Sequence, residues 1–153
     1  MEPIFAEAIC RLEWLHAEYL GYMAGLTTEE LDWSPGPAMN SLCVLAIHVT
    51  AAERFWFGAV VDDIITRDRR AEFEASGYTY DQLADRFAAN VAFCRANFPG
   101  QSASRLGEVV DVSRYRHWPP QQFSRGWSLL RGLDHTAEHL GHAGMTRQLL
   151  DRR

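Results

Sequence analysis

Four segments of the chain carry apolar residues at the three- and four-residue spacing of a helix that buries one face. The second segment begins at Asn40 or Ser41, both favourable N-cap residues, and runs to about residue 65. The third spans residues 79–98 and the fourth residues 124–150. The first, residues 3–23, has a stripe that consists of Phe5, Ile9, Leu12, Leu20 and Met23. The pattern therefore predicts four amphipathic helices.

Four such helices in 153 residues predict an all-α fold, an antiparallel four-helix bundle with long connecting loops. We expect residues 1–153 to form a single domain, because the chain has the length of one. The connections are long for a simple up-and-down bundle, so at least one of them is expected to cross over. The competing prediction is an α+β domain with strands in residues 105–118, and it depends on the single extended stretch at residues 109–112.

Composition and charge narrow the class of partner. Hydrophobic residues make up 47% of the chain, the net charge is −5 and the pI is about 5.6. Binding to nucleic acid or to an anionic membrane requires positive charge at the contact, so we expect neither partner. All 15 basic residues are arginines, which excludes a catalytic Schiff-base lysine and a P-loop lysine.

Two further features predict a cytoplasmic protein. No apolar run is long enough to span a membrane, and the first residues lack the basic region of a signal peptide. The cysteines Cys10, Cys43 and Cys94 are odd in number and far apart, which favours free thiols over a disulfide framework.

Candidate chemistry is concentrated in the histidines. His139 and His142 lie roughly 40° and 20° to either side of His135 on the fourth helix, so all three project from one narrow face. His48 falls within the apolar stripe of the second helix, where a hydrogen-bonded core histidine is the simplest interpretation. However, bundles build internal metal sites from facing helices, and a shared cation would satisfy one nitrogen of each buried ring. The spacing is therefore consistent both with unliganded histidines and with a metal site on His48, His135 and His139.

At these positions the chain resembles the DinB-like metal-binding four-helix bundles, which include the N-terminal domains of mycothiol-dependent maleylpyruvate isomerases. Residues 40–48 are similar to the family pattern N-S-x-x-x-L-x-x-H, and residues 135–147 to H-x-x-x-H-x-G-[QH]-x-x-x-x-R. The resemblance implies a homodimer whose metal ligands are His48, His135 and His139, with His142 outside the ligand set. Leu140 departs from the arginine that many members carry, which puts any substrate contact made by that arginine in doubt.

Three neutral imidazoles would leave open positions on a divalent metal, for which zinc or nickel is favoured and iron or copper possible. The open position can lower the pKa of a bound water or thiol. The resemblance implies a small-molecule thiol, and hence a metal-dependent thiol S-transferase or isomerase acting on small electrophiles. Two alternatives remain: a small-molecule hydrolase with Glu138 as base, since residues 135–139 read H-x-x-E-H, and a non-enzymatic, stress-related bundle with a structural metal.

Several other side chains have two interpretations each. His16 lies on the core stripe of the first helix, where it could line the site or be a satisfied interior residue. Glu53 and Asp134 are candidate acceptors for ligand N–H groups, although Glu53 is expected to point away from His48. Further residues are assigned by default to the surface (Arg54, Arg131, Arg147), to core or dimer packing (Trp56, Phe57) and to a loop (His117).

Overall fold

The computed structural model describes residues 1–111 and 122–153. The long helices are α1 (Pro3–Met23), α3 (Leu42–Val60), α5 (Tyr80–Asn97) and α6 (Arg125–Leu150), and the short ones are α2 (Thr28–Asp32) and α4 (Arg69–Phe73). Two 3-10 turns follow α5, at Phe98–Gly100 and Ala103–Arg105. The strands β1 (Val109–Asp111) and β2 (Gln122–Ser124) pair antiparallel, with Val110 opposite Phe123.

The four long helices form the predicted all-α bundle. Helix α3 packs against α6 and α5, and α1 packs against the same two helices, so α1 and α3 are diagonal partners. The chain therefore crosses the bundle between α1 and α3, which agrees with the expectation that at least one connection crosses over. The α+β alternative is wrong, because the strands of the described residues form a two-stranded antiparallel sheet and no more. Val112 and His117 lie outside the described residues.

Side-chain caps explain why the helices begin where the sequence predicts. The hydroxyl oxygens of Ser41, Thr79 and Ser124 each accept a hydrogen bond from the backbone N–H three residues later. Thr27 and Glu30 form a capping box at the start of α2. Each cap satisfies a backbone donor that has no partner within its helix, and so fixes the helix start.

Helix α3 ends at Val60, earlier than predicted. The Gly58 carbonyl accepts hydrogen bonds from the N–H groups of both Val61 and Asp63, and Asp62 adopts a left-handed φ of 62°. This turn leads into a charged connection between α3 and α4. The Arg67 side chain there is only 14% exposed, because it reaches inward to the buried carboxylate of Glu72.

Helix α3 is the central core helix. Among the described residues it is the one helix long and apolar enough to cross a membrane, with a mean hydropathy of 1.3. However, 89% of that apolar segment is buried inside the protein. The hydrophobicity of α3 is therefore accounted for by packing within the bundle, where its side chains contact α5 and α6.

Candidate metal centre

The structure brings together the three histidines that the sequence singled out. His48 lies in the second turn of α3, and His135 and His139 lie one turn apart on α6, the helix that packs against it. One nitrogen from each ring lies within 4.8 Å of the others. His48 and His135 are buried, whereas His139 is partly exposed, so the cluster sits at the edge of the core.

The spacing of the nitrogens suits a metal ion. The Nε2 atoms of His48 and His135 are 3.2 Å apart. Two ligands of a tetrahedral zinc, each about 2.0–2.1 Å from the ion, would be separated by about 3.3 Å. Imidazole nitrogens are also good ligands for several divalent transition metals. The residues present therefore fit a divalent metal held by three neutral rings.

The surroundings of the rings keep two of them in the neutral form that binds metal. Burial, followed by the charges of His139 and His48, lowers the pKa of His135 to about 2. Burial, followed by the charges of His48 and His142, lowers the pKa of His139 to about 4. Both rings are therefore neutral at pH 7 and do not have to lose a proton before binding a cation.

A carboxylate behind the cluster orients His48. Glu72 of α4 is 5% exposed, and its Oε2 lies 2.9 Å from Nδ1 of His48. Arg67 holds the same carboxylate through Nε at 2.9 Å and Nη2 at 2.6 Å. Burial alone would raise the pKa of Glu72, but its hydrogen bonds with His48 and Arg67 hold the pKa below the usual value. We therefore assign the proton to Nδ1 of His48, which leaves Nε2 free to bind a metal.

The other two rings differ in their outer partners. Nδ1 of His139 lies 3.1 Å from Nδ1 of His142, which leaves Nε2 of His139 for the cluster. His142 is thus placed to support a ligand, and it does not join the three-histidine group. Nδ1 of His135 is buried and has no hydrogen-bond partner among the described residues. The outer support is therefore unequal, with a carboxylate for His48 and a histidine for His139.

Replacing Glu72 with alanine is expected to weaken metal binding by about 10–100-fold, because His48 would lose the acceptor that fixes its ring and tautomer. The measurement is a competition titration of zinc against a chelator of known affinity. Glu74→Ala is the matched control, because Glu74 lies two residues away on the surface and pairs only with Arg70. Equal affinities for the Glu72 and Glu74 variants would contradict the assigned role.

Sequence reasoning had named other acceptors for the ligand rings, and neither fills that role. Asp134 is exposed and pairs with Arg131. Glu53 points away from His48, as expected. The contact between Glu72 and His48 was missed because Glu72 lies 24 residues beyond His48 in the chain, on a short helix that follows an irregular connection. The one indication of this contact in the sequence was an acidic residue beside an arginine-rich stretch.

Glu53 joins all four long helices. The side chain is fully buried on α3, and its Oε1 accepts a hydrogen bond from Thr136 of α6 at 2.7 Å. The same oxygen lies 2.9 Å from Nε2 of His16 on α1, and Oε2 accepts a hydrogen bond from Asn90 of α5 at 2.7 Å. His16 is therefore a hydrogen-bonded interior residue outside the three-histidine cluster.

The remaining candidate residues have structural partners. Arg54 pairs with Asp63, and Arg147 donates to the Tyr22 carbonyl oxygen. Trp56 and Phe57 are 3% and 1% exposed, which agrees with the prediction of core packing. These contacts account for each side chain without a substrate.

The backbone resembles several solved structures. The conserved protein of a locus from Enterococcus faecalis superposes with a TM-score of 0.80 at 19% identity, with 100% of both chains covered. A DinB-like protein from Bacillus cereus gives a TM-score of 0.66 at 16% identity, over 89% of this chain and 85% of that one. YfiT from Bacillus subtilis is described as a probable metal-dependent hydrolase with an unusual four-helix bundle topology. It gives a TM-score of 0.75 at 11% identity, over 97% of this chain and 89% of that one. The fold is thus that of the DinB-like four-helix bundles.

A family model gives the narrower assignment. The model of the mycothiol-S-transferases matches residues 11–152, nearly the whole chain. The chain belongs to the mycothiol-S-transferase family. The resemblance to the DinB-like superfamily, predicted from two short motifs, is confirmed, and family and fold together support a metal-dependent enzyme of this class. No protein with a curated description matches the chain.

Proposed function

We propose that the protein is a metal-dependent thiol S-transferase that joins a small-molecule thiol to a small electrophile. The observation that carries the proposal is the group of three histidine nitrogens within 4.8 Å of one another, supported by Glu72 and His142. Three protein ligands leave at least one position open, which is typical of catalytic sites, whereas structural zinc sites are closed by four. The mycothiol-S-transferase family supports a thiol as the ligand of that position.

The chemistry divides between the metal and the chain. A divalent metal in the site would lower the pKa of a thiol, so that the nucleophilic thiolate is available at neutral pH. The chain holds the three rings in place, and Arg67 and Glu72 fix the tautomer of His48. In the overall reaction the thiol gives up its proton, sulfur bonds to the electrophilic carbon, and the leaving group departs with its electron pair.

A recess beside the cluster suits a small electrophile. It has a volume of about 240 Å³ and borders His142, the outer partner of His139. Its walls are mainly apolar, which favours uncharged carbon skeletons over highly hydrated groups. The lining residues are Ala38, Met39, Asn40, Leu45, His142, Met145 and Thr146.

The test is a panel of small thiols and electrophiles assayed with the zinc- and nickel-loaded protein, zinc and nickel being the metals we propose. We expect formation of the thioether product, loss of turnover after chelation, and recovery when metal is returned. Product formation can be followed by mass spectrometry. Absence of any metal-dependent conjugation or isomerisation across the panel would contradict the proposal.

Glu138→Gln separates transfer from hydrolysis, the second candidate, which the description of YfiT supports. The Glu138 side chain is half-exposed, and Oε2 accepts a hydrogen bond from Nη1 of Arg131 at 3.0 Å. If Glu138 were the general base for an attacking water, its replacement would lower turnover by about 100-fold or more. We expect thiol transfer to change less than about threefold, because a thiolate needs no base at the moment of attack.

We also propose that the protein works in the cytoplasm as a homodimer. The three cysteines are free, which agrees with a reducing compartment. Exposed Trp14 on α1 and exposed Trp127 and Leu130 on α6 leave apolar surface of the kind that dimer contacts cover.

A further inference from the structure

Three arginines lie near the histidine cluster. Nη2 of Arg67 is 3.4 Å from Nδ1 of His48, Arg131 precedes His135 by one turn of α6, and Arg69 is on α4, the helix that carries Glu72. Such crowding of cations around a proposed cation site requires negative charge nearby, because like charges repel. The positions of the neighbouring carboxylates show which arginines are already compensated.

Two of the three arginines are paired with carboxylates. Arg67 donates two hydrogen bonds to Glu72. Arg131 pairs with Asp134 at 3.1 Å and with Glu138 at 3.0 Å. Arg69 differs, because within residues 1–111 and 122–153 it makes no ion pair and no hydrogen bond to another side chain. It is therefore the one guanidinium of the three that is available to an outside anion.

The position of Arg69 is fixed by an aromatic ring that touches the cluster. The Arg69 guanidinium carbon lies 5.0 Å from the centroid of the Phe73 ring, within the range of a cation–π contact. The Phe73 ring centroid lies 4.7 Å from that of His48. Phe73 is 36% exposed, so an apolar surface and a free cation stand side by side at the rim of the site.

Charge balance points to a second anion. The carboxylates near the cluster are equal in number to the three guanidinium groups, and they are Glu72, Asp134 and Glu138. A bound divalent metal would therefore add two positive charges that are not compensated. A thiolate would neutralise one of them. A carboxylate against Arg69 would neutralise the other and would form the charge-assisted, bidentate pair that a guanidinium favours.

We propose that Arg69 and Phe73 form a subsite for a carboxylate carried on an apolar group of the small substrate that reacts at the histidine cluster. The subsite deepens the proposed transferase function and rests on it for the reaction, but not for the binding. Arg69 receives the carboxylate, and Phe73 contacts the adjoining apolar carbons. The substrates are thus small aromatic or unsaturated carboxylic acids, or thiols with a carboxylate.

The first test is calorimetric titration of the zinc-loaded protein with benzoate and with benzamide, which share a ring and differ in charge. We expect benzoate to bind about tenfold more tightly, as is typical of one accessible charge-assisted contact. The preference should disappear in Arg69→Gln and persist in Arg70→Gln. Arg70 is the matched control, because it is the next residue on the same helix and already pairs with Glu74.

Equal binding of benzoate and benzamide by the unmodified protein would overturn the subsite, and so would a preference that survives in Arg69→Gln. A second titration compares 3-mercaptopropionate with 2-mercaptoethanol. A preference for the charged thiol that is lost in Arg69→Gln places the carboxylate on the thiol, and equal binding places it on the electrophile. If no thiol transfer is found but the benzoate preference depends on Arg69, the transferase proposal fails while the subsite stands.

Discussion

Replacing His48 with alanine is expected to reduce metal affinity by at least about 100-fold, since loss of an outer partner alone costs about 10–100-fold. The variant removes one of the three nitrogens that lie within 4.8 Å of each other and leaves only the pair on α6. The measurement is elemental analysis of the purified protein and of His48→Ala after dialysis against the same metal buffer. We also expect the increase in melting temperature that zinc gives the unmodified protein to be absent from the variant.

His142→Ala serves as the control for this experiment. Its ring is exposed and contacts the cluster only through Nδ1 of His139, so the variant should keep its metal with moderately lower affinity. Equal metal content in His48→Ala and the unmodified protein would exclude His48 from the site. A loss of stability in His48→Ala with turnover unchanged would instead favour a structural metal or none.

Replacing Glu53 with alanine is expected to lower the free energy of unfolding by about 3–5 kcal/mol, the usual cost of removing one partner from a buried polar network. The substitution removes the carboxylate that binds His16, Asn90 and Thr136. Asn90 and Thr136 each keep a backbone carbonyl oxygen as a second acceptor. Within the part of the chain that the structure describes, His16 has no other hydrogen-bond partner, because its Nδ1 is buried and unpartnered. Urea unfolding followed by circular dichroism measures the change.

Two control variants show whether the loss of stability comes from the buried hydrogen bonds of Glu53. Glu53→Gln keeps the shape and one acceptor oxygen, so it should cost less than half as much as the alanine variant. Glu13→Ala removes a carboxylate that pairs with Arg95 at the surface, and the change there should stay below about 1 kcal/mol. A Glu53→Ala protein as stable as Glu13→Ala would show that the buried hydrogen bonds add nothing to stability.

The features that could be predicted from sequence are those set by local chemistry. Helix periodicity placed His135 and His139 on one face, and the apolar surroundings of His48 indicated that it points inward. Ser41 and Ser124 marked helix starts because a hydroxyl caps the neighbouring N–H groups wherever the helix later packs. Two inward faces on different helices left a meeting of the three rings as one of two interpretations, and the family resemblance favoured it.

The features that were missed depend on contacts between distant segments. Glu72 lies in a short helix after an irregular connection, and no periodic pattern shows that its carboxylate turns toward His48. Helix α3 ends early because of the turn at Gly58 and Asp62. The apolar residues that follow this turn led to the prediction of a longer helix. The partners of Glu53 lie 37 to 83 residues away, so helical angles could show only where it does not point.

The long helices supply the clustered histidines, and the connection with a short helix supplies the residues around them. This arrangement affects how such a site can diverge. The clustered histidine nitrogens come from α3 and α6, which also form the core, so their positions are constrained by the packing of the whole bundle. Arg67, Glu72 and Phe73 come from the connection between α3 and α5, whose short helix α4 places no apolar side chain in the buried core. Changes confined to this connection could retune metal affinity and substrate choice while the folding of the bundle stays the same.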